Sequence, residues 1–221
     1  MVTIIPAINA SDFEEVEEQF AKALLILPQG GWIHIDIADG EFTPHHTWNK
    51  PEQLKKLVDE AQELAPFNFE IHLMVQNPEK AVESWLHYGG NRIIIHAEAM
   101  TDDDYILGRA DRHAADIMLA INPASPAEKL LAYKNQFHFF QILAVSPGSA
   151  GQKFKPEVLE KIRVLREKVP HAKIEVDGGI NPETAKLCKE AGANLFVSAS
   201  YIFGSNNPRQ AYEELAKVIS N

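Results

Sequence analysis

Cysteine is almost absent: Cys188 is the only one in 221 residues. No intrachain disulfide can form, and a reducing compartment is expected. Cys188 lies in the run "ETAKLCKEAG", where a small apolar packing role suits it better than catalysis. Long apolar runs are also missing, so no segment is expected to cross a bilayer. The opening stretch "MVTIIPAINA" has no basic region leading into a long apolar one; no signal peptide is expected, and the cytoplasm is the expected location. Positive charge is scarce, with 21 Lys and Arg against 31 Asp and Glu and a formal net charge of -10. That balance argues against nucleic acid or an anionic membrane as the main partner, whereas a small anionic substrate stays open because a local site can be positive on an acidic protein. Linkers, low-complexity tracts and charge blocks are lacking too. One domain spanning 1–221 is therefore expected, long enough to bury a sizeable core.

What is present is an alternation of two patterns. Short β-branched runs predict strands at 3–9, 32–38, 69–75, 92–98, 116–122, 139–145, 173–178 and 194–200. Amphipathic runs lie between and after them. "SDFEEVEEQFAKALLIL" opens with Ser11 and Glu14 at capping-box spacing, and six later runs carry Pro at or near the expected first turn, where its missing N–H costs least. "TDDDYILGRADRHA" is the least periodic of the helical segments. Eight evenly spaced strand–helix units with no second-domain boundary favour a single (β/α)8 TIM barrel over a doubly wound open sheet.

In a barrel both faces of each strand are buried, which makes "HIDIADG" anomalous. Ile33, Ile35 and Ile37 share one face, and His34, Asp36 and Ala38 the other. The anomaly recurs with His72 in "EIHLM" and Asp177 in "EVDG", again near strand C-terminal ends. Any one of these residues alone is ordinarily a hydrogen-bonded core group. Together they converge on the mouth where barrel enzymes keep their sites. Two buried carboxylates and two imidazoles are costly without compensation, and a divalent cation bound by His34, Asp36, His72 and Asp177 would supply it. This donor set suits zinc, iron(II), manganese or cobalt better than calcium. His96 occupies a similar strand position but is left outside the metal set, and His45 and His46 are taken as loop residues.

A second site is expected beside the first. "VDGG" ends with Gly178 and Gly179, "VSAS" ends with Ser198 and Ser200, and loops after the seventh and eighth barrel strands often bind phosphate through backbone N–H groups. The small-residue loop "SPGSAGQKF" is suited to closing over a ligand.

The ordered set "HIDIADGEFTP", "HLMVQNPE", "INPASP", "PGSAGQKFKPEVLEKI", "IEVDGGINPET" and "AGANLFVSAS" resembles the ribulose-phosphate 3-epimerase family across nearly the whole chain. The resemblance implies inversion at C3 of D-ribulose 5-phosphate to give D-xylulose 5-phosphate, with His34, Asp36, His72 and Asp177 as metal ligands. Asp36 and Asp177 would serve as acid and base on opposite faces of the substrate. Substrate and phosphate contacts would come from Met74, Gly148, Gly151, Gln152, Gly178, Gly179, Ser198, Ala199 and Ser200. The surroundings depart from the family pattern: Ala7 replaces a Ser, Ala38 and Leu143 replace methionines, Ser149 and Ala150 replace a Phe-Gly pair, Ser146 an acidic residue and Ala199 a Gly. Two other readings follow from these departures, namely an epimerase of another ketose phosphate such as a hexulose 6-phosphate, and a phosphosugar-binding barrel with little catalysis. Ala38 also stands where the D-x-K-x-x-D pattern of related decarboxylases would place Lys, which disfavours a lyase. A homo-oligomer stays open.

Overall fold

The eight β-branched runs form eight parallel strands in a computed structural model, which describes residues 2–220. In chain order they are β1 (Thr3–Ile8), β2 (Trp32–Ala38), β3 (Asn68–Met74), β4 (Arg92–His96), β5 (Asp116–Ile121), β6 (Phe139–Leu143), β7 (Lys173–Asp177) and β8 (Leu195–Ser198). Each pairs with its sequence neighbours, and β8 returns to β1, so the sheet has no edge. The helices are α1 (Phe13–Leu24), α2 (Pro51–Glu60), α3 (Pro78–His87), α4 (Asp103–His113), α5 (Glu128–Leu131), α6 (Val158–Lys168), α7 (Pro182–Ala191), α8 (Ser200–Phe203) and α9 (Pro208–Ser220). This is a (β/α)8 TIM barrel, as the spacing predicts. No helix among the described residues is long and apolar enough to cross a membrane.

Strand alternation divides the apolar residues into two cores. Outward-facing Ile33, Ile35, Ile37, Ile71, Ile93 and Ile95 pack with buried helix residues such as Leu54, Val82, Trp85 and Leu165. Ile5, Ala7, Ile94, Met118, Ala120, Leu195 and Val197 form a separate cluster inside the barrel, contributed by β1, β4, β5 and β8. Burying a Leu, Ile or Val side chain contributes about 1.5–3 kcal/mol, so the outer core dominates stability. The interior contributions of β2, β3, β6 and β7 are different: His34, Glu70, His72, Gln141 and Glu175 are all fully buried there.

Several local expectations are corrected. The chain stays extended through Asp12 (φ -139°, ψ 174°), so α1 starts later and Asp12, not Ser11, accepts from an N-terminal N–H, that of Glu15. Glu15, rather than Glu14, then reaches back to the Ser11 N–H at 3.0 Å. The least periodic segment forms a full helix, α4, because Asp102 caps it and Ala114 closes it in a left-handed conformation (φ 52°). Strand β8 stops at Ser198, where Ala199 (φ -98°, ψ -79°) turns the chain into α8.

Candidate functional site

His34 and Asp36 come from β2, His72 from β3 and Asp177 from β7, and each offers one ligand atom within 4.8 Å of the others. The β2–β3 register sets Asp36 directly beside His72. Asp36 Oδ1 lies 3.2 Å from His34 Nε2 and 3.0 Å from His72 Nδ1, and Asp177 Oδ2 lies 3.4 Å from that same Nδ1. Burial, the largest influence on Asp36, favours its neutral acid. The hydrogen bonds and charges of His34 and His72 together outweigh burial, and the carboxyl is held far below its usual range. Burial likewise opposes charge on His34 and His72. Asp36 and Glu70 nevertheless raise His34 well above its ordinary value, and Asp177 and Asp36 raise His72. Protons therefore neutralise the cluster in positions that a cation can take, and two imidazoles with two carboxylates can hold a metal ion.

The other ring nitrogens are also held. His34 Nδ1 donates to Glu70 Oε1 at 2.8 Å, the carboxylate–histidine arrangement that fixes a ligand's ring orientation. His72 Nε2 meets His96 Nε2 at 2.9 Å, and burial lowers His96 below its ordinary value, so His96 is the neutral partner of that pair. Behind it stands Glu98, whose Oε2 is 3.4 Å from His96 Nδ1 and which accepts from the Asn122 N–H and the Ser125 hydroxyl. Burial pushes Glu98 upward, but these donors bring it down to about 2. Phe42 packs its ring on His96.

Deeper in the barrel, Arg92 donates to Glu70 Oε2 at 2.8 Å, with its guanidinium between the Trp32 and Phe139 rings at 4.0 and 4.5 Å. Gln141 donates to Glu175 Oε1 at 3.0 Å. Burial, reinforced by Glu70, raises Glu175 well above the carboxylate range, so it is a neutral acid.

Above the cluster opens a cavity lined by Asp36, Met74, Leu143, Asp177 and Asn9, and by the three loops expected to meet a phosphate. Gly148, Gly151 and Gln152 come from the β6–α6 loop, Gly178 and Gly179 follow β7, and Ala199 and Ser200 follow β8. Ser198 does not line it; its hydroxyl donates to the Ile180 carbonyl at 3.0 Å. Gln152 lines the cavity but commits its side-chain N–H groups to the Ser146 and Ser149 carbonyls, shaping the loop from within. Gly179 (φ +66°) has no room for a side chain, since a Cβ would lie 2.7 Å from the Phe154 nitrogen. Gly148 (φ +114°) is equally constrained, with Thr43 and His45 packed against it. His45 is more than a solvated loop residue: it pairs with the Ser149 hydroxyl at about 3 Å, and Thr43 donates to the Pro147 carbonyl at 2.8 Å, joining the β2–α2 and β6–α6 loops.

Sequence reasoning missed Glu70, Arg92, Gln141 and Asn9 as neighbours of the cluster, whereas His96, left outside the metal set, lies outside it and packs against His72. Period-two alternation carries a signal for each, because Glu70 is two residues before His72 and Asn9 two after Ala7. The partner that each side chain reaches depends on cross-strand register.

The fold places the chain among the TIM barrels. A 3-hexulose-6-phosphate synthase from Salmonella typhimurium superimposes with a TM-score of 0.72 at 12% identity, covering 99% of this chain and 98% of its own. An orotidine 5'-phosphate decarboxylase from Pyrococcus horikoshii does so at 0.69 and 14% identity, covering 99% and 100%. At such identities the likeness concerns the fold alone.

Sequence decides the rest. Residues 3–203 match the ribulose-phosphate 3 epimerase family, and the chain belongs to that family. It is 30% identical to the ribulose-phosphate 3-epimerase of Schizosaccharomyces pombe over 98% of this chain and 93% of the relative. It is 32% identical to that of Mycobacterium tuberculosis over 97% and 91%. The cytoplasmic isoform of rice, Oryza sativa subsp. japonica, is 31% identical over 98% and 93%. The chain is thus an epimerase, an isomerase acting on carbohydrates.

Proposed function

We propose that this one-domain barrel interconverts D-ribulose 5-phosphate and D-xylulose 5-phosphate, using His34, Asp36, His72 and Asp177 to hold one divalent ion and Asp36 and Asp177 to move the proton at C3. The observation that carries this reading is the approach of two carboxylates, from β2 and β7, to one cavity floor while both touch the same imidazole. The donor set fits zinc, iron(II), manganese or cobalt, and Glu70 and His96 already orient the two ligand imidazoles for it. Such an ion would supply positive charge that makes a C–H beside a carbonyl more acidic.

Inversion requires a proton to leave one face of C3 and return to the other, so the two carboxylates alternate as base and acid with direction. Met74 and Leu143 give the reacting carbons an apolar wall. The backbone around Gly178, Gly179, Ala199 and Ser200 faces the substrate phosphate, with Gly148, Gly151 and Gln152 forming the opposite rim. The enzyme works in the cytoplasm on a small ketose phosphate.

The test incubates metal-loaded protein with ribulose 5-phosphate in deuterated water, following xylulose 5-phosphate and deuterium at C3, with a hexulose 6-phosphate in parallel. Epimerisation with exchange at C3 of the pentulose is expected. Exchange confined to the hexulose, or none with either substrate under the four metals, would overturn the assignment.

A further inference from the structure

Besides Glu70 and His96, which hold the imidazoles, one more polar side chain reaches the four-residue cluster, and it does so at a carboxylate. Asn9 follows β1 on the same inward alternation as Ile5 and Ala7, and its side-chain nitrogen donates to Asp36 Oδ2 at 2.8 Å and to the Gly148 carbonyl at 3.2 Å. An amide –NH2 carries two hydrogens, so both bonds form at once. The two oxygens of Asp36 are thereby divided: Oδ1 faces His34 and His72, and Oδ2 faces Asn9 and the cavity. Contacts to both oxygens fix the plane of the carboxylate as well as its position. The donor is neutral and does not give up its proton, so it orients Asp36 without entering the proton exchange.

The second bond gives this contact a wider reach. Gly148 belongs to the β6–α6 loop, which is otherwise joined to the β2–α2 loop through Thr43 and His45. Asn9 thus links the floor of the cavity to the loop above it, across 27 residues to Asp36 and 139 to Gly148. An apolar residue here would extend the Ile5 and Ala7 cluster and leave Asp36 Oδ2 without this donor.

We infer that Asn9 is a positioning residue for the epimerisation, holding Asp36 in its proton-transfer orientation and tying that orientation to the β6–α6 loop. The inference rests on the role given to Asp36 above.

It is tested with Asn9→Leu, which keeps the branched shape and removes the donor, and Asn9→Asp, which sets a second carboxylate against Asp36. For each, kcat and KM with ribulose 5-phosphate are measured beside bound metal and the thermal midpoint, with Asp36→Asn as control. Expected for Asn9→Leu is a kcat lower by about tenfold to hundredfold, since small misplacement of a reacting group has effects of that size. KM should change by less, and metal content and thermal midpoint should stay close to those of the parent. Asn9→Asp should be slower still. A parental kcat in Asn9→Leu overturns the inference, as does a loss of activity that only follows loss of metal or of fold. An inactive Asp36→Asn beside a fully active Asn9→Leu rejects the inference alone; an active Asp36→Asn rejects the role of Asp36 as well.

Discussion

The barrel interior holds two polar groups one pleat apart, and they have opposite characters. At the mouth, Asp36 and Asp177 border a cavity, and Asp36 is crowded with His34 and His72 into a cluster that only protons or a cation can neutralise. Beneath them, Glu70, Arg92, Gln141 and Glu175 are sealed from solvent, with Glu70 neutralised by Arg92 and Glu175 by its own proton. Both groups have the same sequence signature, a polar residue at an inward position of a strand. The difference is access: groups that meet the cavity can act on a ligand, and groups below can only orient the groups above. His34 belongs to both, offering Nε2 upward and committing Nδ1 to Glu70.

The sharpest way to separate the layers is to remove one charge from each. Asp177→Asn should reduce turnover by about 10²–10⁴-fold, the usual contribution of a positioned acid or base, while the thermal midpoint shifts little; steady-state rates and calorimetry check both. Arg92→Met should do the reverse. It leaves the Glu70 carboxylate buried without its cation, and breaking a buried pair costs about 3–5 kcal/mol, measurable by denaturant unfolding. A large turnover loss at undiminished stability in Arg92→Met would break the distinction.

The smallest effect sharpens it at the edge of the cluster. Glu98 is held near 2 in the fold, against about 4.3 in an unfolded chain. Its folded value is depressed, so its contribution to stability is fully present above the unfolded value and is lost as pH falls from there through about 2. Glu98→Gln should therefore unfold more readily than the parent at neutral pH and converge with it below about pH 2, as followed by circular dichroism during acid titration. A gap that persists unchanged to the lowest pH would sink this account of Glu98.

Much of the fold was legible because its signals are local. Each β-branched run became a strand within a few residues, and the period-two pattern of "HIDIADG" put the isoleucines of β2 outward and His34 and Asp36 inward. Boundaries were less legible. Ser11 and Asp12 are both able caps, and Ser200 extends a strand-like run that Ala199 turns into a helix. Those choices follow from backbone dihedrals that composition does not encode. His96 illustrates the same limit at the site: its strand position was visible, its stack on His72 was not.

Taken alone, the sequence determined the strand count, the inward phase of His34, Asp36, His72 and Asp177, and the family, because alternation and motif order are properties of a chain read in one dimension. Tertiary structure alone decided which inward residues meet the cavity, that Ser198 turns away from it, and that Asn9 reaches Asp36. Those outcomes depend on closure of the sheet and on register between strands, which set the distance between side chains far apart in sequence.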